Sequence, residues 1–212
     1  MFVRRTRVEG SPEKLKQTIQ TYQQQLLPVM KQEPGFRGAV FLANFVTGAA
    51  QSVTLWESDA AERGSRPTGD RLRAQAIQTS GGRVVDVESY EEVLQERVGS
   101  ARPGTASFMR VNSMQAAPDK LEDGIRFVRD QVVPLLKQKA GFMAVMMGVN
   151  REDGRAYVTS AWESAEARQA SDAAVRDQRR QTGQVMGGIQ VSVDEYEAAF
   201  IEIPETVSAT RT

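Results

Sequence analysis

The tripeptide Trp56-Glu57-Ser58 returns 106 residues later as Trp162-Glu163-Ser164, and these are the chain's only two tryptophans. The same offset carries Pro12-Glu13-Lys14-Leu15 onto Pro118-Asp119-Lys120-Leu121, and Gly35-Phe36 onto Gly141-Phe142. It also carries Gly81-Gly82 onto Gly187-Gly188 and Tyr90-Glu91 onto Tyr196-Glu197, with no gap anywhere. Sliding the chain by this offset gives roughly thirty identical pairs, where ordinary composition predicts about six. A period this long is not that of a solenoid. One fold of roughly 100 residues, an ordinary domain size, is therefore expected twice. The expected division is a first domain over 1–98, a linker over 99–106, a second domain over 107–204 and a polar tail over 205–212.

Each copy reads in the same order. Phe2, Val3 and Val8 mark a short strand among arginines. Ser11 before Pro12 predicts a helix start with proline in its first turn. Leu15, Ile19, Tyr22, Leu26 and Met30 follow at helical spacing, as do Leu121, Ile125, Val128, Val132 and Leu136. Pro28 and Pro134 fall late in these helices, where proline should kink or open the last turns. Two strands then flank hairpin turns at Thr47-Gly48 and Asp153-Gly154. A second helix runs to each glycine pair. In the first copy, Gly64, Pro67 and Gly69 should break it in two. Val85 and Val87, like Val191 and Val193, alternate as a last strand. The order is β-α-β-β-α-β, that of a ferredoxin-like domain.

Composition removes several chemistries. With 27 basic and 27 acidic side chains the formal charge is zero, which argues against a nucleic-acid or anionic-membrane partner. There is no cysteine and no histidine. The commonest general base and the usual zinc and proximal haem ligands are thus missing. Neither a metal nor a cofactor is expected. The first ten residues are basic but lead into no apolar run, unlike a signal peptide. No stretch nears the eighteen apolar residues of a membrane span. A cytoplasmic location is expected.

Three features occur together in each copy: a proline late in the first helix, Gly-Phe opening the second strand, and a third strand ending in Trp-Glu-Ser. In this the chain resembles the antibiotic biosynthesis monooxygenase family of the dimeric α+β barrel superfamily, over nearly its whole length and twice. The resemblance implies an α+β fold in which two tandem ferredoxin-like domains form the barrel within one chain. It also implies a monomer with an internal pseudo-dimer, for which further homodimerisation is optional. The implied activity is cofactor-independent oxygenation of a quinol-like or aromatic polyketide-like molecule. The alternative is a barrel that binds a small apolar or aromatic molecule without catalysis.

Five residues are candidate ligand contacts. Trp56 and Trp162 would either wall a pocket or bury their rings and hydrogen-bond their N–H groups. Asn112 shares a strand face with Phe108, Arg110 and Met114, and resembles the asparagine of haem-degrading relatives. Those relatives add a tryptophan and a histidine on the second helix, where this chain has Ser65 and Ser171 and no histidine. Arg4 and Arg110 would favour an anionic substrate if buried facing a pocket. For Arg73 and Arg179 a solvated position is expected. Met143, Met146 and Met147 point to an adaptable apolar pocket. No catalytic residue is assigned. The unequal pairs, such as Thr6 against Asn112, favour binding mainly in the second half.

Overall fold

The computed structural model describes residues 1–98 and 107–203; the expected linker at 99–106 and tail at 205–212 lie outside the described residues. The first repeat runs β1 (Phe2–Glu9), α1 (Leu15–Thr21), α2 (Leu27–Met30), β2 (Phe36–Ala43), β3 (Ala49–Trp56), α3 (Asp59–Gly64), α4 (Arg66–Ser80) and β4 (Arg83–Arg97). The second runs β5 (Phe108–Gln115), α5 (Leu121–Phe127), α6 (Val133–Lys137), β6 (Phe142–Val149), β7 (Arg155–Trp162), α7 (Ala165–Val185) and β8 (Ile189–Glu202). Hydrogen-bonded neighbours follow the order β1-β3-β2-β8-β5-β7-β6-β4. The fold is α+β, with the ferredoxin-like order in both repeats. Among the described residues two compact units partition the chain: 1–89 with 198–203, and 90–98 with 107–197.

Strand alternation decides which side chains meet the helices. In the first unit β1 pairs antiparallel with β3, setting Arg4 against Thr54, Thr6 against Ser52 and Val8 against Ala50. In the second, β5 sets Arg110 against Ser160, Asn112 against Val158 and Met114 against Ala156. These six pairs lie on the helix-facing side of their sheets. In the first unit, Leu15, Tyr22, Leu26 and Met30 pack on Phe41, Ala50, Trp56 and Leu72. The second unit's core is larger and takes in Ile125, Val128, Val175 and Met186.

Both late prolines open their helices just ahead of themselves. Tyr22–Leu26 and Val128–Val132 are π-helical, and the N–H of Leu27 and of Val133 reaches back five residues, to Tyr22 and Val128. Proline cannot donate to the carbonyl four residues back and its ring crowds it; widening the preceding turn relieves that conflict. Ser11 makes no side-chain capping bond, because the chain enters through a 3-10 turn at Pro12–Lys14. The second helix is broken between α3 and α4 in the first repeat, whereas α7 is continuous.

One glycine marks how the second core was filled. A Cβ on Gly124 would overlap the side chain of Met186, which is fully buried. The corresponding first-repeat positions are Thr18 and Ser80. Gly124→Ala is therefore expected to cost about 1–3 kcal/mol by overpacking, despite the better helix propensity of alanine. Urea denaturation of Gly124→Ala with and without Met186→Ala checks this: truncating Met186 should remove most of the clash.

Candidate functional site

The first unit has a partly open cavity of about 90 Å³ between its sheet and helices. Arg4, Thr6, Ser52 and Thr54 form the sheet wall; Tyr22, Leu26, Gly69, Leu72, Arg73 and Ala76 face them from the helices. The Tyr22 hydroxyl lies 2.8 Å from Ser52 Oγ, which donates to it. Burial pushes the Tyr22 phenol up to about 12, so it stays protonated at neutral pH. The equivalent cavity of the second unit is about 40 Å³, lined among others by Arg110, Asn112, Val158, Val175 and Arg179. The larger cavity thus lies in the first half. Val175 stands where the first unit has Gly69, and Val128 where it has Tyr22.

Arg4 is held by a buried network. Its Nε donates to Glu62 Oε1 at 2.7 Å, and its Nη2 donates to the Glu62 carbonyl and, at 3.0 Å, to Ser65 Oγ. Its guanidinium carbon lies 5.6 Å from the centre of the Trp56 ring. Glu62 is wholly buried and also accepts from Ser89 Oγ at 2.8 Å. Burial alone would raise the Glu62 carboxyl. The Arg4 charge and hydrogen bonds from Ser89, Arg66 and Arg4 instead hold it below the ordinary glutamate value. Glu62 is thus no free base. Burial also lowers the Arg4 guanidinium from its usual value, against the pull of Glu62. Among the described residues Arg4 Nη1 has no hydrogen-bond partner.

The second unit rebuilds this network with the charges moved. Arg110 Nη1 donates to Ser171 Oγ at 2.9 Å and Nη2 to the Arg168 carbonyl at 2.8 Å, repeating the contacts to Ser65 and the Glu62 carbonyl. The carboxylate, however, has crossed from helix to strand. Positions 62 and 89 hold Glu and Ser; positions 168 and 195 hold Arg and Glu. Glu195 now pairs with Arg110 at 3.2 Å and with Arg168 at 2.9 Å. Arg4 and Arg110 are thus both buried and both line their cavities.

The other sequence expectations divide. Trp56 and Trp162 are completely buried, stack edge-on against Phe36 and Phe142, and donate Nε1–H to Thr54 Oγ1 and Ser160 Oγ at 3.0 Å. Neither is among the residues lining its cavity. Asn112 lines the small cavity; its Nδ2 donates weakly to the Val158 carbonyl at 3.4 Å, and Oδ1 is buried without a partner among the described residues. Arg73 and Arg179 correct the expectation of solvation: their side chains are only 19% and 16% exposed and both line cavities, because one face of α4 and α7 turns to the sheet. The methionines are also corrected. Met147 is buried in the core and neither it, Met143 nor Met146 lines the second cavity. Sequence pointed to none of Glu62, Tyr22, Gly69 and Asp172 as site residues; Tyr22 read as part of the helix's apolar face and Gly69 as a helix breaker. The signal for Glu62 and Asp172 was there, as charge changes at aligned positions.

No family model matches the chain. Two uncharacterised proteins of Mycobacterium tuberculosis are 37% and 34% identical to it over 98 residues, 46% of this chain. The chain covers only 43% and 41% of the length of these curated relatives. Among solved structures, an anthrone oxidase-like protein superposes with a TM-score of 0.69 at 14% identity, over 99% of this chain and 97% of that one. The chain shares the monooxygenase-like fold. A monooxygenase-like protein of Listeria innocua matches it with a TM-score of 0.52 at 10% identity, over 96% and 95% of the two chains. A haem-degrading enzyme of Listeria monocytogenes gives 0.53 at 9% identity, over 96% and 100%. Haem does not fit the site seen here. A cavity of about 90 Å³ has no room for a porphyrin. Ser65 and Ser171, at the matching place on the second helix of each repeat, are each bonded to their unit's buried arginine. No helix among the described residues is long and apolar enough to cross a membrane.

Proposed function

We propose that the first-unit cavity binds a small aromatic hydroxy compound, of the quinol or hydroxylated polyketide kind, and promotes its cofactor-independent oxygenation. The observation that carries this reading is the pairing of a mainly apolar cavity with a buried guanidinium nitrogen, Arg4 Nη1, that has no hydrogen-bond partner among the described residues. A phenol placed near that charge loses its proton more readily, because the guanidinium favours the anion. An electron-rich phenolate of this kind reacts with dioxygen itself. The protein's share is to orient the ring, exclude water and stabilise the anion. Solvent takes the proton, since Glu62 is committed to Arg4 and Tyr22 titrates near 12.

The same absence of a free base favours a second reading, in which the cavity only binds such molecules. Oxygen uptake separates the two. A Clark-electrode panel of hydroquinones and hydroxyanthracene derivatives should show consumption several-fold above autoxidation. Ala76→Phe, which fills the cavity from α4, should return it to the protein-free rate. Saturable binding without any uptake across the panel would leave the non-catalytic reading standing.

A further inference from the structure

We propose that Arg4 and Arg73 form a seat for an anionic oxygen of the ligand at one wall of the first cavity, where among the described residues no carboxylate bridges the two arginines as Asp172 bridges Arg110 and Arg179 in the second unit. The inference rests on the cavity reading above and adds the ligand's charge and the residues that receive it.

The repeat supplies the comparison. Arg4 and Arg73 correspond to Arg110 and Arg179, and Ser65 to Ser171, so the framework is unchanged. In the second unit Asp172 Oδ1 accepts from Arg179 Nη2 at 2.7 Å and lies 3.7 Å from Arg110 Nη2. A carboxylate thus sits against both guanidiniums. In the first unit the aligned residue is Arg66, whose guanidinium turns to Glu62 Oε2 at 3.0 Å. The change from acid to base removes the carboxylate shared by the two arginines, leaving Arg4 paired with Glu62 and Arg73 with Asp70.

What remains is a converging pair of donors. The position a Cβ would occupy on Gly69 lies 2.9 Å from Arg4 Nη1 and 3.1 Å from Arg73 Nη1. Asp70, on the exposed side of α4, takes Arg73 Nη2 and leaves Nη1 turned toward Gly69. Two like charges brought this close repel each other, and an anion beside Gly69 would relieve both. Val175 occupies the equivalent space in the second unit, so Gly69 is what keeps the seat open. Guanidinium forks suit carboxylates, and also take a single phenolate oxygen. Tyr22, Leu26, Phe41 and Leu72 complete the cavity with apolar surface. At about 90 Å³ the cavity is smaller than the roughly 150 Å³ that holds a benzene, so only part of an aromatic ring system seats inside and the rest must lie at its open mouth.

Anaerobic calorimetric titration with 1-naphthoate and its neutral isostere 1-naphthamide tests the seat. The carboxylate should bind at one site, at least tenfold more tightly than the amide. Arg73→Met should abolish that preference while amide binding persists, which also certifies the fold. Arg66→Asp should weaken naphthoate at least tenfold by restoring an internal carboxylate. The proposal is overturned if the amide binds as tightly as the carboxylate or if naphthoate does not bind at millimolar concentration. It is also overturned if either variant, still binding the amide, leaves naphthoate affinity unchanged. Turnover does not enter this measurement. A protein that passes it but consumes no oxygen keeps the seat and loses the oxygenase reading.

Discussion

Glu62→Ala is expected to destabilise the first unit by about 3–5 kcal/mol, because it strands a buried guanidinium without its counter-charge. Arg4 and Glu62 side chains are 3% and 0% exposed, and their pair is 2.7 Å long. The variant also removes the acceptor of Ser89. The second unit provides the control. Glu195 is 43% exposed and Arg110 keeps Asp172 at 3.7 Å, so Glu195→Ala should cost less, about 1–3 kcal/mol. Acid should act in the same direction as the Glu62 substitution. Glu62 is held below its ordinary value of 4.5, so its contribution is fully present above that pH and is lost as pH falls through the lower folded-state value. Urea midpoints at pH 7 for both variants check the contrast. Equal losses from Glu62→Ala and Glu195→Ala would show that burial of the pair is not the controlling variable.

Trp56→Ala and Trp162→Ala are each expected to cost about 3–5 kcal/mol through loss of buried area and the cavity left behind. Both rings are fully buried with an edge-on phenylalanine partner, at 5.6 and 5.5 Å between centroids. Each N–H bonds the hydroxyl two residues earlier on the same strand face. The two losses can be read separately. Trp162→Phe leaves Trp56 as the only indole, reporting on the first unit, and Trp56→Phe does the reverse. Each alanine variant, made singly, is followed by circular dichroism and by fluorescence of the one tryptophan it leaves in the other unit. Ligand binding in the first cavity should survive Trp162→Ala wherever the protein stays folded. A loss well under 1 kcal/mol for either tryptophan would mean that its surroundings collapse freely onto the space.

The repeated Trp-Glu-Ser phrase is thus explained by architecture. A strand that ends under a helix needs a large ring with a nearby hydroxyl to satisfy its N–H, and each copy supplies both. The charge differences between copies follow another logic. The buried strand arginine must have a carboxylate within reach, but the carboxylate can come from the helix, as Glu62, or from the last strand, as Glu195. Once a neighbouring strand could supply the acid, the helix position was free to become Arg168.

The ungapped offset, read with apolar periodicity and turn residues, was enough to determine two copies of a βαββαβ fold, the disturbed first helices and the broken second helix of the first copy. Those features are local: proline geometry, glycine freedom and the 2.0 or 3.6 residue period act within a few residues. The site was different. Arg73 looked solvated because a charged residue on a polar helix ordinarily is, and only the packing of α4 on its sheet brings its guanidinium toward that of Arg4. Trp56 could be read as a pocket wall or as a buried ring with a bonded N–H, and packing decided for the second, with its N–H on Thr54 and its ring beside Arg4. Gly69 read as a helix breaker, yet its consequence is the space left beside two guanidiniums. The size and charge of a cavity depend on which side chains from elements far apart in sequence converge on one point. Tertiary packing alone sets that convergence, which is why it placed the larger cavity in the first copy.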